Sequence, residues 1–248
     1  MERDISKLVV LRYKAVCSTM NFAKNKVYKT DQGPLFIVAE TQQRGRGFNG
    51  SMWESPKGGF YGTLALHLDD KPTQEQWRFI HYITALSIVN TLKSFHNCDF
   101  KIKWPNDIYY KNMKLGGVLL EILHKIEAYV LIGIGVNLNF YAKELSVNKE
   151  VKPTSVLEIT EKYTEIKKFE EKLLDNLLRK LAWVNSDDRS ILVDQINSCL
   201  LNISLTHIHE NSEYSCLGID EKGLLRLKSK TEIISLPIEK SKEVSLVY

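Results

Sequence analysis

The sequence predicts an α+β fold: a mixed, largely antiparallel sheet with helices on one face, followed by a small C-terminal β-barrel. Three observations point to it. Short β-rich runs at 8–13, 35–41, 60–68, 114–123 and 128–138 are apolar and bounded by turn residues, and several follow one another with no helix between them. That order favours antiparallel pairing over a doubly wound parallel sheet. Two stretches repeat apolar residues at helical spacing, and after roughly Asp194 the pattern turns to short alternating strands. A chain of 248 residues, 44% of them apolar, has the material for one sizeable core with a small appendage. The expected division is a main unit over 1–190 and the barrel over 191–248.

In chain order, the runs from Leu8 to Tyr13, Leu35 to Thr41 and Phe60 to Leu68 open the sheet. Thr73-x-x-Gln76 after Pro72 has the form of a capping box, and Trp77, Ile80, Ile83, Thr84, Ile88, Thr91, Leu92 and Phe95 then recur at helical spacing. Lys114 to Leu123 and Ala128 to Leu138 complete the sheet, and the polar stretch from Tyr141 to Pro153 reads as a surface loop. A second helix is signalled between Ile166 and Trp183, where Ile166, Phe169, Leu173, Leu174, Leu177, Leu178 and Leu181 form a stripe opposite Lys and Glu. The barrel strands are Ser204 to His209, Tyr214 to Ile219, Leu224 to Lys228, Ile233 to Pro237 and Val244 to Tyr248, with Asp220-Glu221-Lys222-Gly223 as a hairpin turn.

Composition removes several function classes. Thirty-four Lys+Arg against thirty Asp+Glu leave +4, scattered along the chain, too weak a balance to argue for nucleic acid. No run of about 18 apolar residues is present, and the start lacks the order of a signal peptide, so neither membrane insertion nor secretion is expected and the cytoplasm is. Cys17, Cys98, Cys199 and Cys216 form no metal or disulfide pattern and read as reduced thiols. His207 and His209 share a strand face without a third ligand nearby and read as surface or barrel residues.

Four segments carry chemistry beyond packing. Thr41 to Trp53 follows a strand and holds Gly45, Gly47 and Gly50, which let a backbone approach an anion, while Arg44 and Arg46 offer planar charged donors. A basic surface turn fits the same residues, and neither the P-loop nor the dinucleotide glycine pattern is present. Lys103-Trp104-Pro105-Asn106-Asp107 contains one residue suited to a core, Trp104. Asn106 and Asp107 are oxygen donors suited to Mg²⁺, which takes one or two carboxylates plus substrate phosphates; a strand-end turn with a satisfied Asp is the alternative. Lys114 to Glu121 sets a lysine before Gly116-Gly117, and glycines within a strand mark close approach by ligand or backbone. An exposed edge lysine also accounts for it. Gly133 to Asn139 repeats the theme and places Asn137 after the glycines, or is a bulged core strand.

In this order and spacing the four segments, with Ser18-Thr19 near the start, resemble the biotin protein ligases. The match runs over Leu8 to Asn139, and its most specific part is K-W-P-N-D followed, seven residues after its Asp, by K-L-G-G. The resemblance implies an SH3-like C-terminal barrel, and a reaction in which biotin and ATP, with Mg²⁺, form biotinyl-5′-AMP before a lysine of a biotin carboxyl carrier protein domain attacks it. By motif position it implies that Lys114, Arg46 and Asp107 are catalytic. Ser18, Thr19, Met20, Gln43, Gly47, Phe48, Asn49, Lys114, Gly116 and Gly117 would bind biotin. Arg44, Gly45, Arg46, Trp53, Lys103, Asn106 and Asn137 would bind ATP and the adenylate, with Trp104 packing nearby, and Asp107 and Asn106 would serve the metal.

The chain departs from the family pattern at two places. Members often carry further basic residues in the glycine loop, as in G-R-G-R-R-G-R, where this sequence has Phe48, Asn49 and Ser51. The third residue of an S-T-N pattern is Met20, with Asn21 next to it. About seventeen residues precede Ser18, fewer than the roughly 60 of a DNA-binding helix-turn-helix, so the expected form is ligase-only, a monomer or homodimer. The rivals are a lipoate ligase or octanoyltransferase of the same superfamily and a non-catalytic biotin or nucleotide sensor.

Overall fold

A computed structural model describes residues 7–30, 34–68, 71–124, 128–146, 151–186, 189–202, 204–207 and 213–247. β1 (Val9–Val16) lies parallel to β2 (Leu35–Arg46). From β2 the sheet continues through β4 (Phe60–Leu68), β8 (Ala128–Val136), β7 (Met113–His124), β6 (Asp107–Tyr110) and β5 (Phe100–Lys103), each pairing antiparallel. β3 (Met52–Ser55) folds back on the end of β2. The mixed, largely antiparallel sheet is therefore present, with β5, β6 and the short β3 added to the five runs legible in the sequence.

Alternation along the strands feeds two cores. Phe36 and Val38 of β2 face one, Leu35 and Ile37 the other, as a period of two requires. On the first face lie α2 (Gln74–Phe95), α4 (Ile166–Leu181) and α5 (Ser190–Cys199). Thr73 caps α2 as expected: Gln76 N donates to Thr73 Oγ1 at 3.1 Å, and Thr73 N donates to Gln76 Oε1 at 2.8 Å. Because α4 and α5 cover its outer side, α2 is buried almost all round, and its Thr84, Ser87 and Thr91 hydroxyls each donate to the carbonyl four residues back at 2.7 Å. α1 (Thr19–Thr30) covers the opposite face, where Met20, Ala23 and Val27 pack on Leu35, Ile37, Ala65 and Leu131. The long helices share one face as the sequence indicated. α1 was missed because three residues make too narrow a stripe to stand out.

Around Asp194 the chain is helical, not extended. Leu192, Val193, Ile196 and Cys199 are spaced to bury one side of α5, which delays the strand pattern to β9 (Ser204–His207). β10 (Glu213–Ile219), β11 (Leu225–Lys228), β12 (Ile233–Leu236) and β13 (Val244–Val247) follow; His209 and Tyr248 lie outside the described residues. The order β12-β11-β10-β9-β13 leaves β12 and β13 as the two ends, so the described pairings form an open five-stranded sheet rather than a closed barrel. Its hairpin at Asp220–Gly223 packs on α2: Arg78 Nε donates to Lys222 O and Tyr82 OH to Gly223 O, both at 3.0 Å. A short helix, α3 (Val156–Thr160), is capped by Ser155, whose Oγ accepts from Glu158 N. Among the described residues no helix is long and apolar enough to cross a membrane.

Burial in α2 carries a pH dependence. His81 is enclosed, its Nδ1 3.0 Å from Trp77 O, and desolvation pushes its pKa down to about 4. An unfolded histidine titrates near 6.5, so between about pH 6.5 and 4 the unfolded chain binds more protons. Stability is full above that window and falls as pH drops through it, by about 3 kcal/mol from this group. Urea midpoints should decline across the window in the parent protein and decline less in His81→Phe.

Candidate active site

A cleft of about 550 Å³, counting its open mouth, lies on the α1 side of the sheet beyond the start of that helix. Its floor comes from β7 and β8, where glycines make room for large side chains. A Cβ on Gly135 would stand 2.6 Å from Trp53 Nε1, and one on Gly133 would stand 2.7 Å from Met20 Sδ. The indole and the thioether therefore rest on bare backbone, and the two glycines are there because those side chains occupy the space of a Cβ. Trp53 Nε1, set against Gly135, is buried and has no hydrogen-bond partner among the described residues.

Neutral polar groups gather around Gln42. Thr19 donates to Gln42 Oε1 twice, from its backbone N at 2.8 Å and its hydroxyl at 3.1 Å. Gln42 Nε2 donates to Ser55 Oγ at 2.8 Å, and Thr63 Oγ1 donates to Thr19 Oγ1 at 2.9 Å. Charged groups also line the cleft. Lys114 Nζ pairs with Asp107 Oδ1 at 2.6 Å, both side chains about a fifth exposed, and lies 5.6 Å from the centre of the Trp53 ring. Arg46 pairs with Glu121 and donates to Asn21 Oδ1 at 3.1 Å. Phe48 and Ser51 bring the β2–β3 loop over the mouth, held by Gly47 N donating to Ser51 O and Ser51 N to Phe48 O.

Of the residues nominated from the sequence, the cleft brings together Thr19, Met20, Arg46, Gly47, Phe48, Trp53, Asn106, Asp107, Lys114 and Gly117. Others are placed elsewhere. Gln43 is exposed and does not line the cleft; its neighbour Gln42 does, because adjacent residues of a strand face opposite sides. Ser18 is buried before α1, its Oγ 3.5 Å from Asn21 N. Arg44 is exposed and engages through its backbone N, which donates to Cys17 O. Gly45 is a close-packing position, since a Cβ there would stand 2.3 Å from Trp53 O. Gly116 faces away from the cleft, against Gly135 O. Lys103 is buried with Tyr109, donating to its hydroxyl at 3.1 Å, and Trp104 is core, its Nε1 donating to Tyr82 OH. Asn137 is buried behind the floor, its Nδ2 donating to Thr154 O. The side chain of Asn49 lies outside the described residues. Gln42, Ser51, Val118, Leu119, Gly133, Ile134 and Gly135 also line the cleft; the sequence marks them only as members of the four segments, not individually as site residues.

A profile of the Biotin/lipoate A/B protein ligase family matches residues 13–137, which contain every residue of this cleft. The chain belongs to that family. Among its relatives are a human biotin–protein ligase, 26% identical over 88% of this chain and 32% of that protein, and the chloroplastic biotin–protein ligase 1 of Arabidopsis thaliana, 27% identical over 64% and 48%. The chain thus spans about a third to a half of the length of these relatives. A solved structure of the biotin protein ligase from Aquifex aeolicus, in complex with biotin and ATP, superposes with a TM-score of 0.76 at 25% identity, covering 96% of this chain and 98% of that one. The family resemblance read from the four segments is thereby established, and the fold agrees with that of the ligase along nearly its full length.

Proposed function

We propose that the chain is an ATP-dependent ligase that activates biotin as biotinyl-5′-AMP and transfers it to a lysine of a biotin carboxyl carrier domain, the reaction of a biotin–[acetyl-CoA-carboxylase] ligase. One observation carries the reading: a single cleft holds both a neutral hydrogen-bonding cluster, Thr19 with Gln42, and cations, Lys114 and Arg46. Biotin has the matching parts, a cyclic urea at one end of an apolar body and a carboxylate at the other. With the urea against Thr19 and Gln42, the carboxylate extends toward the charged groups.

A carboxylate is a poor electrophile, because its charge is delocalised and oxide is a poor leaving group. Attack of a carboxylate oxygen on the α-phosphorus of ATP expels pyrophosphate and leaves a mixed anhydride. The acceptor amine then attacks the acyl carbon, AMP departs, and the amine gives up a proton as the amide forms. Lys114 reduces the repulsion between the two anions and stabilises charge on the α-phosphate. Binding both reactants in one cleft supplies the orientation. Asp107 is the carboxylate that lines the cleft, and it would hold Mg²⁺, a cation that takes one or two carboxylates and would supply positive charge to the phosphates. Residues 1–190 would form the ligase unit and 191–248 an accessory unit in which α5, packed on α2, leads into the five-stranded sheet, the whole acting in the cytoplasm.

Purified protein incubated with MgATP and a biotin carboxyl carrier domain should release pyrophosphate and add one biotinyl group to the carrier when biotin is supplied, and do neither with lipoate. Lipoylation instead would favour a lipoate ligase. Biotin binding without pyrophosphate release would indicate a sensor.

A further inference from the structure

We propose that Ser55 and Thr63, neither of which lines the cleft, are positioning residues that set the hydrogen-bond polarity of the Thr19–Gln42 pair, so that the pair presents one acceptor and one donor to a cyclic urea. The proposal rests on the biotin reading and names what makes that end of the cleft selective.

Thr63 spends its hydroxyl proton on Thr19 Oγ1 at 2.9 Å, which obliges Thr19 to direct its own proton elsewhere, to Gln42 Oε1 at 3.1 Å. The Thr19 backbone N–H reaches the same oxygen at 2.8 Å, so Gln42 Oε1 already has two donors and nothing to offer a ligand. At the other end, Gln42 Nε2 gives one of its two protons to Ser55 Oγ at 2.8 Å, and Ser55 in turn gives its proton to Trp53 O at 3.1 Å. The relay thus runs in one direction, from Thr63 through Thr19 and Gln42 to the backbone at Trp53. Two valences are left over: a lone pair on Thr19 Oγ1 and the second N–H of Gln42. A urea offers an N–H beside a C=O, which needs one acceptor and one donor. Turning the Gln42 amide over would set its N–H₂ against two donors of Thr19, so the arrangement resists inversion.

The neighbouring backbone is built to allow this. A Cβ on Gly45 would stand 2.9 Å from both Gln42 Nε2 and Ser55 Oγ, so the bond between them exists only because position 45 has no side chain. Thr63 is fully buried and Ser55 nearly so, on β4 and β3, outside the cleft but within reach of the residues that line it. Their hydroxyls have no packing advantage over methyl groups at those positions, whereas the relay uses both.

Comparison of biotin with 2-iminobiotin tests the polarity directly, because the imine replaces the urea acceptor by a donor when protonated. Binding of each to the parent protein, Ser55→Ala, Thr63→Val and the conservative Thr63→Ser should be measured by calorimetry at neutral pH, with thermal midpoints as the control for folding. Ser55→Ala and Thr63→Val should each lower the preference for biotin over 2-iminobiotin by about tenfold, leave ATP binding unchanged, and Thr63→Ser should retain the parent preference. An unchanged preference in folded Ser55→Ala and Thr63→Val, or equal losses of biotin and ATP binding, would overturn the proposal while leaving the ligase reading intact. Failure of the parent protein to bind biotin would overturn both.

Discussion

Lys114→Ala should slow pyrophosphate release from biotin and MgATP by about 10²- to 10³-fold, the scale of losing one preorganised group aimed at developing charge. The lysine sits where that charge develops only if the carboxylate of biotin and the α-phosphate meet beside it, so a small effect would place the reacting atoms elsewhere. Asp107 complicates the comparison, since its 2.6 Å partner is lost and a partly exposed carboxylate is left beside the incoming anions. Comparing Lys114→Ala,Asp107→Asn with Asp107→Asn alone separates the two causes: if the missing cation is what matters, the lysine substitution costs about as much with Asn at 107 as with Asp. A second control bypasses the first step. Supplied with preformed biotinyl-AMP, Lys114→Ala should label the carrier at a rate much nearer that of the parent, because the phosphorus chemistry is already complete. Release of pyrophosphate within about threefold of the parent rate, a barrier change of less than about 1 kcal/mol, would remove Lys114 from its assigned role.

Much of this protein was legible in its sequence, and what was not has identifiable reasons. Long apolar runs such as Phe60 to Leu68 announced their strands because pairing on both edges and cover on both faces demand continuous apolar residues. The α2 start was legible because a capping box is local chemistry. α1 and α5 were not, since each buries only three or four apolar residues, and those of α5 run directly into a stretch that alternates like strands. The candidate site shows the same division. Lys114, Asp107, Arg46 and Trp53 stood out by residue type and spacing, and all line one cleft. Choosing Gln43 over Gln42 was a one-residue error, and in a strand one residue reverses the face. The bulge between Gln42 and Gly45, which aims the end of β2, leaves no mark of its own in the sequence. Lys103 and Asn137 were nominated for their chemistry, but one lies against Tyr109 and the other holds the Thr154 carbonyl. Only the alternation of β5 and the end of β8 decides that, and both depend on partners distant in the chain.

If the chain carries out the proposed reaction, the composition of the β2–β3 loop bears on how firmly the adenylate is kept. Arg46, the last residue of β2, is the cation this segment brings to the cleft, and Phe48 lines the cleft beside it. Arg46 is not idle: Glu121 and Asn21 hold it, so a phosphate must compete with a carboxylate for its guanidinium, or share it. Retention of biotinyl-AMP should therefore rest on one partly engaged arginine. Arg46→Ala should raise the dissociation rate of the intermediate by about 10- to 100-fold, the range of a lost charge-assisted hydrogen bond. Phe48→Arg should lower it, and the gain should shrink as salt rises, because an added charge at an open mouth is screened. Glu121→Gln discriminates between two accounts of Arg46. If the carboxylate competes with phosphate, the variant holds the intermediate longer; if it aims the guanidinium at the phosphate, the variant releases it faster. Single-turnover formation of biotinyl-AMP followed by dilution into excess unlabelled biotin and ATP gives the rates. Release that is unchanged in both Arg46→Ala and Phe48→Arg would show that the loop does not hold the adenylate, and would move that task to the floor of β7 and β8.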